Sequence, residues 1–286
     1  MTKRDQRQLD LFVSFVGDVP FRDERESMSM PMVALGKRKR VKPIEWTSSD
    51  GRQWVRVTAN HAFGMATIWD LDVVLWAVSQ LNEAVERGLP TSPTLAFHPH
   101  DLLRTIDREV GGDHYRRLEA ALERLRSTTV ETSVRADDRR RKAMFGWIEA
   151  WTHEVQESTG QSKNMTLTLP QWIYQAVVEE RAVLAVPREY FALTSGLERW
   201  LYRLARRHAG KQPAGWRFTM RQLHERSGSS QSLADFARDL REVVGRNRLP
   251  EYHVELAKGQ RGDELVTMIR DVTRVKLPQK RILQRL

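Results

Sequence analysis

The last hundred residues run through an order of short segments that few folds accommodate: helix, strand, helix, tight turn, helix, strand, glycine-containing tip, strand. "SGLERWLYRLARRHAG" (195–210) sets Leu197, Trp200, Leu201 and Leu204 at helical spacing and ends on a basic turn and Gly210. "WRFTMRQLHERSGS" (216–229) reads as a short strand and a helix with Thr219 as its N-cap. "SSQSLADFARDLREVVGR" (229–246) is a second helix, with Leu233, Phe236, Ala237, Leu240 and Val244 on one side. "EYHVEL", "AKGQRGDE" and "LVTMIRDV" then predict a strand, a turn at the two glycines, and a returning strand. This is the winged-helix arrangement, in which the second helix of the central pair is free to enter a DNA groove.

The same order is legible upstream. "TIWDLDVVLWAVSQLNEAVERG" from Thr67 predicts a long helix, with Thr67 as N-cap, Asp70 and Asp72 in the first turn, and Gly88 and Pro90 as its stop. Ile68, Leu71, Val74, Leu75, Val78 and Leu81 give it a broad apolar face. After it come a short strand "TLAFHP", helices from "PHDLLRTI" and "GGDHYRRLEAALERLRST", and the strands "TVETSV" and "AMFGWIEAWTHEV" joined by a charged wing, "RADDRRRK". "NMTLTLPQWIYQAVVEE" adds a strand and a helix. Phe97, Leu102 and Tyr115 stand a constant 121 positions before Phe218, Leu223 and Phe236, in the same structural roles. The expected fold is therefore α+β, predominantly helical, with two winged-helix domains in tandem at 60–186 and 187–286. Residues 1–59 are expected as a flexible N-terminal arm, with "GDVPFRDERESMSMPM" a loop, followed by a short hairpin around Ser49-Asp50-Gly51.

Charge divides unevenly over these segments. The whole chain carries +10, and its three parts carry +4 (1–59), −4 (60–186) and +10 (187–286). A basic surface attracts polyanions, so the last segment is the first place to look for nucleic-acid contacts. A reading helix needs small or polar residues at its start and base-reading side chains on its outer face. Ser229, Ser230, Gln231, Ser232, Asp235, Arg238, Arg241 and Arg246 meet that pattern, and the serines at the helix start suit phosphate as well. Lys258 and Arg261 at the wing tip are candidates for backbone or minor-groove contact. In the first domain the candidates are Arg117 on the corresponding helix and Arg139, Arg140, Arg141 and Lys142 in the wing, where Asp137 and Asp138 leave a solvated charged loop equally open. The run "KRKRVKP" (37–43) reads as a solvated basic arm, and the tail cations Arg274, Lys276, Lys280, Arg281 and Arg285 as phosphate-tracking or solvated.

Other chemistries find little footing. The chain has no cysteine, so thiol catalysis and thiolate zinc sites are excluded. No apolar run is long enough for a membrane span, and a cytoplasmic protein is the default expectation. In "FHPHD" the two histidines invite comparison with a nuclease metal pair, but Pro99 would break a central strand, so His98 and His100 are expected to flank a helix start. No nucleotide-binding or catalytic motif is recognisable, and neither enzyme activity nor a cofactor nor a metal is expected.

"HAFGMATIWDLDVVLWAVSQL" (61–81), "YFALTSGLERWLYRLARRHAG" (190–210) and "FTMRQLHERSGS" (218–229) resemble the plasmid replication initiator proteins of the replication initiator protein A family, a similarity running from about residue 40 to the C-terminus. The resemblance implies two winged-helix domains. The C-terminal one would be the main reader of repeated double-stranded DNA sites (iterons) at a plasmid origin, the N-terminal one a dimerisation and auxiliary DNA-binding unit. It also implies duplex opening, recruitment of the host replicative helicase and its loader alongside the host initiator, repression of the protein's own promoter as a dimer, and nucleoid or plasmid association in a bacterial cytoplasm. Two other readings stay open: a tandem winged-helix transcription regulator without a replication role, and a rolling-circle nicking enzyme using one of Tyr115, Tyr174, Tyr190, Tyr202 or Tyr252.

Overall fold

The computed structural model describes residues 11–134, 142–158, 162–259 and 262–274. Seven α-helices and thirteen strands in four sheets alternate along these residues, so the fold is mixed α+β rather than predominantly helical. The strands under-read from sequence lie mostly before residue 60. Strand β1 (Phe12–Val13) and β2 (Arg22–Glu24) join sheets, and β3 (Ile44–Thr47) and β4 (Trp54–Thr58) form the expected hairpin. "GDVPFRDERESMSMPM" is no loose loop. Met28, Met30 and Met32 are buried in the core, and Asp23, Glu24, Ser27 and Ser29 are buried beside them. Every other residue of "SMSMPM" is apolar, a spacing that hides core residues among small polar ones.

Helix α1 (Leu71–Glu86) is buried on almost every side, as a central helix in a large core must be. Its entry is tighter than a simple Thr67 cap: the Asp70 carboxylate accepts from Thr67 N (2.8 Å), and the helix proper begins at Leu71. Then follow β5 (Thr94–Phe97), α2 (Pro99–Thr105) and α3 (Gly112–Ser127). His98 is the N-cap of α2, its ring accepting from His100 N at 3.2 Å.

Of the wing expected at 135–142, residues 135–141 lie outside the described residues. Strands β6 (Thr129–Thr132) and β7 (Ala143–Phe145) pair with each other but extend the β3–β4 hairpin, in the order β3-β4-β6-β7. "AMFGWIEAWTHEV" is not one strand, because the chain turns at residues 146–149 with Trp147 and Ile148 buried, and β8 (Ala150–Val155) starts in a different sheet. There β9 (Ser162–Thr168) lies between β8 and β5, with β1 parallel on the far side of β5. Strands β8 and β9 are thus antiparallel neighbours, with β9 next to β5. Helix α4 (Gln171–Val178) packs on α1, and β10 (Val183–Ala185) pairs with β2.

After residue 187 the expected order recurs. Helix α5 (Gly196–His208) opens with a capping box between Ser195 and Glu198, and β11 (Trp216–Thr219) leads to α6 (Met220–Ser227), capped by Thr219 and Gln222. Gly228, left-handed at φ 62°, makes the tight turn, and α7 (Leu233–Arg246) starts with Ser232 accepting from Asp235 N at 3.1 Å. Strands β12 (Tyr252–Lys258) and β13 (Glu264–Arg270) return, and β13 lies between β12 and β11. The arrangement β11-β13-β12 repeats β5-β9-β8, strand for strand. Phe97, Leu102, Phe218, Leu223 and Phe236 are buried, and Tyr115 packs against the core from its edge.

One continuous apolar cluster runs from Phe12 to Met268, across both halves. Buried ion pairs cross it too. Arg199 of α5 donates to both carboxylate oxygens of Asp72 in α1 (2.7 and 2.9 Å) and to the carbonyls of Leu193 and Phe191, while Arg203 meets Asp23 at 3.0 Å. Burial pushes the Asp23 carboxyl up to about 6, against the pull of Arg203. At the start of α5, a Cβ on Gly196 would stand 1.9 Å from the Leu35 carbonyl oxygen, so only glycine lets the helix approach this segment.

Candidate nucleic-acid interface

Helix α7 divides as its sequence predicts. Phe236, Ala237, Leu240, Val243 and Val244 are buried, and Leu233 packs at the margin. Ser230, Gln231, Ser232, Arg238, Arg241 and Arg246 are exposed, while Ser229 and Asp235 are half-buried. The structure therefore brings eight of the predicted residues onto one turn-and-helix surface.

That surface is already knitted together. Gln231 donates to Asp239 (2.7 Å) and its backbone carbonyl accepts from His224 Nε2 (2.9 Å), which ties the helix start to α6. Arg238 pairs with Asp235 (2.8 Å) and Asp239 (3.1 Å), and Arg241 pairs with Glu264 on β13 (2.7 Å). The Ser232 hydroxyl, and after it Arg238, hold the Asp235 carboxyl below the usual carboxylate range. Exposed pairs of this kind are worth about 0–1 kcal/mol each, so a phosphate or base edge can displace them at small cost. The three arginines of α7 are thus neutralised by Asp235, Asp239 and Glu242 or Glu264 in the free protein, and the helix itself is not the source of the segment's positive charge.

Part of that charge is compensated within the protein. Arg199 and Arg203 are buried against Asp72 and Asp23, Arg207 meets Glu26 (3.2 Å), and Arg188 meets Asp107 (2.7 Å) and Asp18 (3.1 Å). The acidic partners all precede residue 110, so the charge asymmetry read from sequence is in part the two halves complementing each other. Lys258, Arg217, Arg221 and Arg248 are exposed and have no ion pair among the described residues. Arg217 on β11 and Arg221 on α6 were not among the predicted contacts.

In the first half, Arg117 is exposed on α3 and Lys142 pairs with Glu131 at 2.6 Å. Lys142 precedes β7 and so lies beside the β3-β4-β6-β7 sheet rather than the sheet of β8 and β9. Arg139, Arg140, Arg141 and Arg261 lie outside the described residues, as do Arg135 and the tail beyond Arg274. Arg274 itself turns inward and donates to the carbonyls of Tyr252 (2.8 Å) and Asn247 (3.0 Å).

The back of the helix pair is docked on the N-terminal segment. Arg226 of α6 stacks over Trp46 of β3 (4.9 Å) and Phe218 (5.4 Å), and a Cβ on Gly228 would meet Ile44 and Pro31 at 2.9 and 3.0 Å. Arg40 donates to the Gly228 carbonyl at 2.6 Å across 188 positions of sequence. The basic run 37–42 is consequently a neighbour of α7, a proximity with no local sequence signal.

Residues 22–254 match the family model described as Replication initiator protein A. The chain belongs to this family. A protein of Wigglesworthia glossinidia brevipalpis named "Putative replication protein" is 28% identical over 239 residues, 82% of this chain and 84% of that one. Two crystal structures of domains 2 and 3 of RctB share the fold, with TM-scores of 0.60 and 0.56 at 13% and 12% identity, each covering 85% of this chain and 96% of the other. Among the described residues no helix is long and apolar enough to cross a membrane.

Proposed function

We propose that this replication initiator binds repeated double-stranded DNA sites at a plasmid origin through two winged-helix domains, 60–186 and 187–286, with α7 as the principal reading helix. The observation that carries the reading is the α6–Gly228–α7 pair followed by the β12–β13 hairpin, with the polar side of α7 open to solvent. In this reading Ser229 to Ser232 hold phosphate and base edges at the helix start, Arg238 reads a base, Arg241 and Arg246 take backbone phosphates, and Lys258 with Arg261 contacts the backbone from the wing. Arg117 and the cations 139–142 supply auxiliary contacts. The recurrence of β5-β9-β8 as β11-β13-β12 supports the tandem reading, with residues before 60 serving as a docked preface.

Binding at several repeats supplies the free energy to bend and open an A·T-rich segment, after which the helicase, its loader and the host initiator assemble. Dimers repress the initiator's own promoter, and the protein works in the bacterial cytoplasm without cofactor or metal and without a catalytic step. Burial of Tyr190, Tyr202 and Tyr252, and the use of His98 as a helix cap, weigh against a nicking mechanism. A footprint on the cognate origin tests the reading: several equally spaced protected repeats are expected, and a single operator would favour a transcription regulator instead.

A further inference from the structure

Residues 37–42 lie between the two helices that occupy the reading position in each half. On one side Arg38, Lys39 and Lys42 border a groove of about 810 Å³ whose opposite wall includes Ser229, Ser230 and Gln231 at the start of α7. On the other, Lys37, Arg38 and Lys39 border a cleft of about 460 Å³ that reaches His114 and Arg117 at the start of α3. Arg38 and Lys39 line both.

The segment is pinned along its length. Ala34 exchanges backbone hydrogen bonds with Ala66 and Ile68 (2.9 Å each), and the Arg40 carbonyl accepts from Met65 N at 2.8 Å. The Arg40 guanidinium donates to the carbonyls of Gly228, Lys42 and Pro43, so this arginine is spent on holding the arm against the α6–α7 turn. Lys37 lies over Trp69 (5.0 Å), and Lys39 donates to the Ala62 carbonyl at 2.8 Å. Arg38 and Lys42 are exposed and have no ion pair among the described residues. The carboxylates that share the groove are engaged elsewhere: Asp239 holds Arg238 and Gln231, and Glu242 faces Arg246 at 3.9 Å. Those lining the cleft toward α3 are engaged too, Asp70 with Arg124, Asp72 with Arg199, Asp107 with Arg188 and Glu109 with His114. Arg38 and Lys42 are thus held in place without a counter-charge among the described residues, close to a helix start where phosphate binds well.

We propose that residues 37–42 are a DNA-contact element in their own right, a pinned basic arm that takes the backbone phosphates running from the site read by α7 toward α3. The inference rests on α7 being a DNA-reading helix, and the partner is the same duplex. Because the arm is held before DNA arrives, its contacts carry little ordering cost, unlike those of a solvated tail.

Two measurements on the full chain test it. Binding of origin-repeat DNA is titrated against salt for the wild type and for the double variant Arg38→Ala/Lys42→Ala. Two lost phosphate contacts lower the log–log salt slope by about 1.8, so the loss of affinity between about 50 and 200 mM salt shrinks roughly tenfold, with base preference unchanged. An unchanged slope overturns the proposal, and so does tighter binding, which would make the arm a mask over α7. Second, since the natural chain has no cysteine, Arg38→Cys and Ser230→Cys each provide a single thiol for an iron chelate that cleaves nearby DNA. Cuts from position 38 flanking those from position 230 are expected. Cuts from 230 alone overturn the arm and leave the function standing, whereas repeat DNA that the wild type does not bind overturns both.

Discussion

Asp72 is a buried carboxylate on which two guanidiniums, Arg199 and Arg108, converge, and removing it exposes how the halves are held together. Its side chain is 1% exposed, that of Arg199 is 5% exposed and that of Arg108 is 26% exposed. In Asp72→Leu, Arg108 swings to solvent at little cost. Arg199 cannot, and a buried charge stripped of its partner costs about 3–5 kcal/mol. Arg199→Met behaves differently: Asp72 keeps Arg108 at 2.9 Å, and the main loss is of donors to the Phe191 and Leu193 carbonyls, roughly 1 kcal/mol each. The double variant removes both charges and retains only that second loss, about 2–3 kcal/mol. Urea unfolding analysed by linear extrapolation reads all three. The double variant is expected to be more stable than Asp72→Leu, with a coupling of about 3 kcal/mol. Additive losses, with the double variant least stable, would refute the view that Asp72 and Arg199 form one buried ionic unit.

Arg238→Ala should weaken repeat binding by about 1–3 kcal/mol and relax preference at one base position, while Lys258→Ala should lower the salt slope by about 0.9 and leave base preference intact, both read by competition titrations on variant repeats. Gly196→Ala should destabilise at or above the upper end of the roughly 1–3 kcal/mol overpacking range, because its Cβ meets backbone at Leu35; an unchanged melting temperature would contradict the packing described. His208 stacks against Trp216 and Phe218, and burial pushes its pKa down from 6.5 to about 4. The folded state therefore binds fewer protons than the unfolded chain between those values, so this contribution is complete above about pH 6.5 and is lost as pH falls toward 4. His208→Phe should flatten the fall in melting temperature across that window, and an unchanged slope would assign the fall to other groups.

What could be read from the sequence was what is fixed locally. Helices α5, α6 and α7 announce themselves because Ser195, Thr219, Ser232 and Gly228 are caps and turns whose chemistry acts within four residues. The polar side of α7 follows from the same periodicity. Strand partnership is a different matter. Nothing in "TVETSV" or "AMFGWIEAWTHEV" says that β7 joins the sheet of β3 and β4 while β8 pairs with β9. That choice is made by residues far away in sequence, so the pairing of these strands was not legible in the segments themselves. Met28, Met30 and Met32 were hidden for a related reason, since their burial depends on α5 packing over the turn at Ser27–Ser29. Net charge misled in proportion to what is internal: Arg199 and Arg203 counted toward a basic surface they never reach.

In the reading proposed above, this chain starts replication by binding its origin through α7. The direct measurement is replication of an origin-bearing fragment from which the gene has been deleted, with the protein supplied in trans. Maintenance that requires the wild-type protein, and is lost or sharply reduced with Arg238→Ala folded to wild-type stability, is the predicted result. A fragment that replicates without the protein would contradict it.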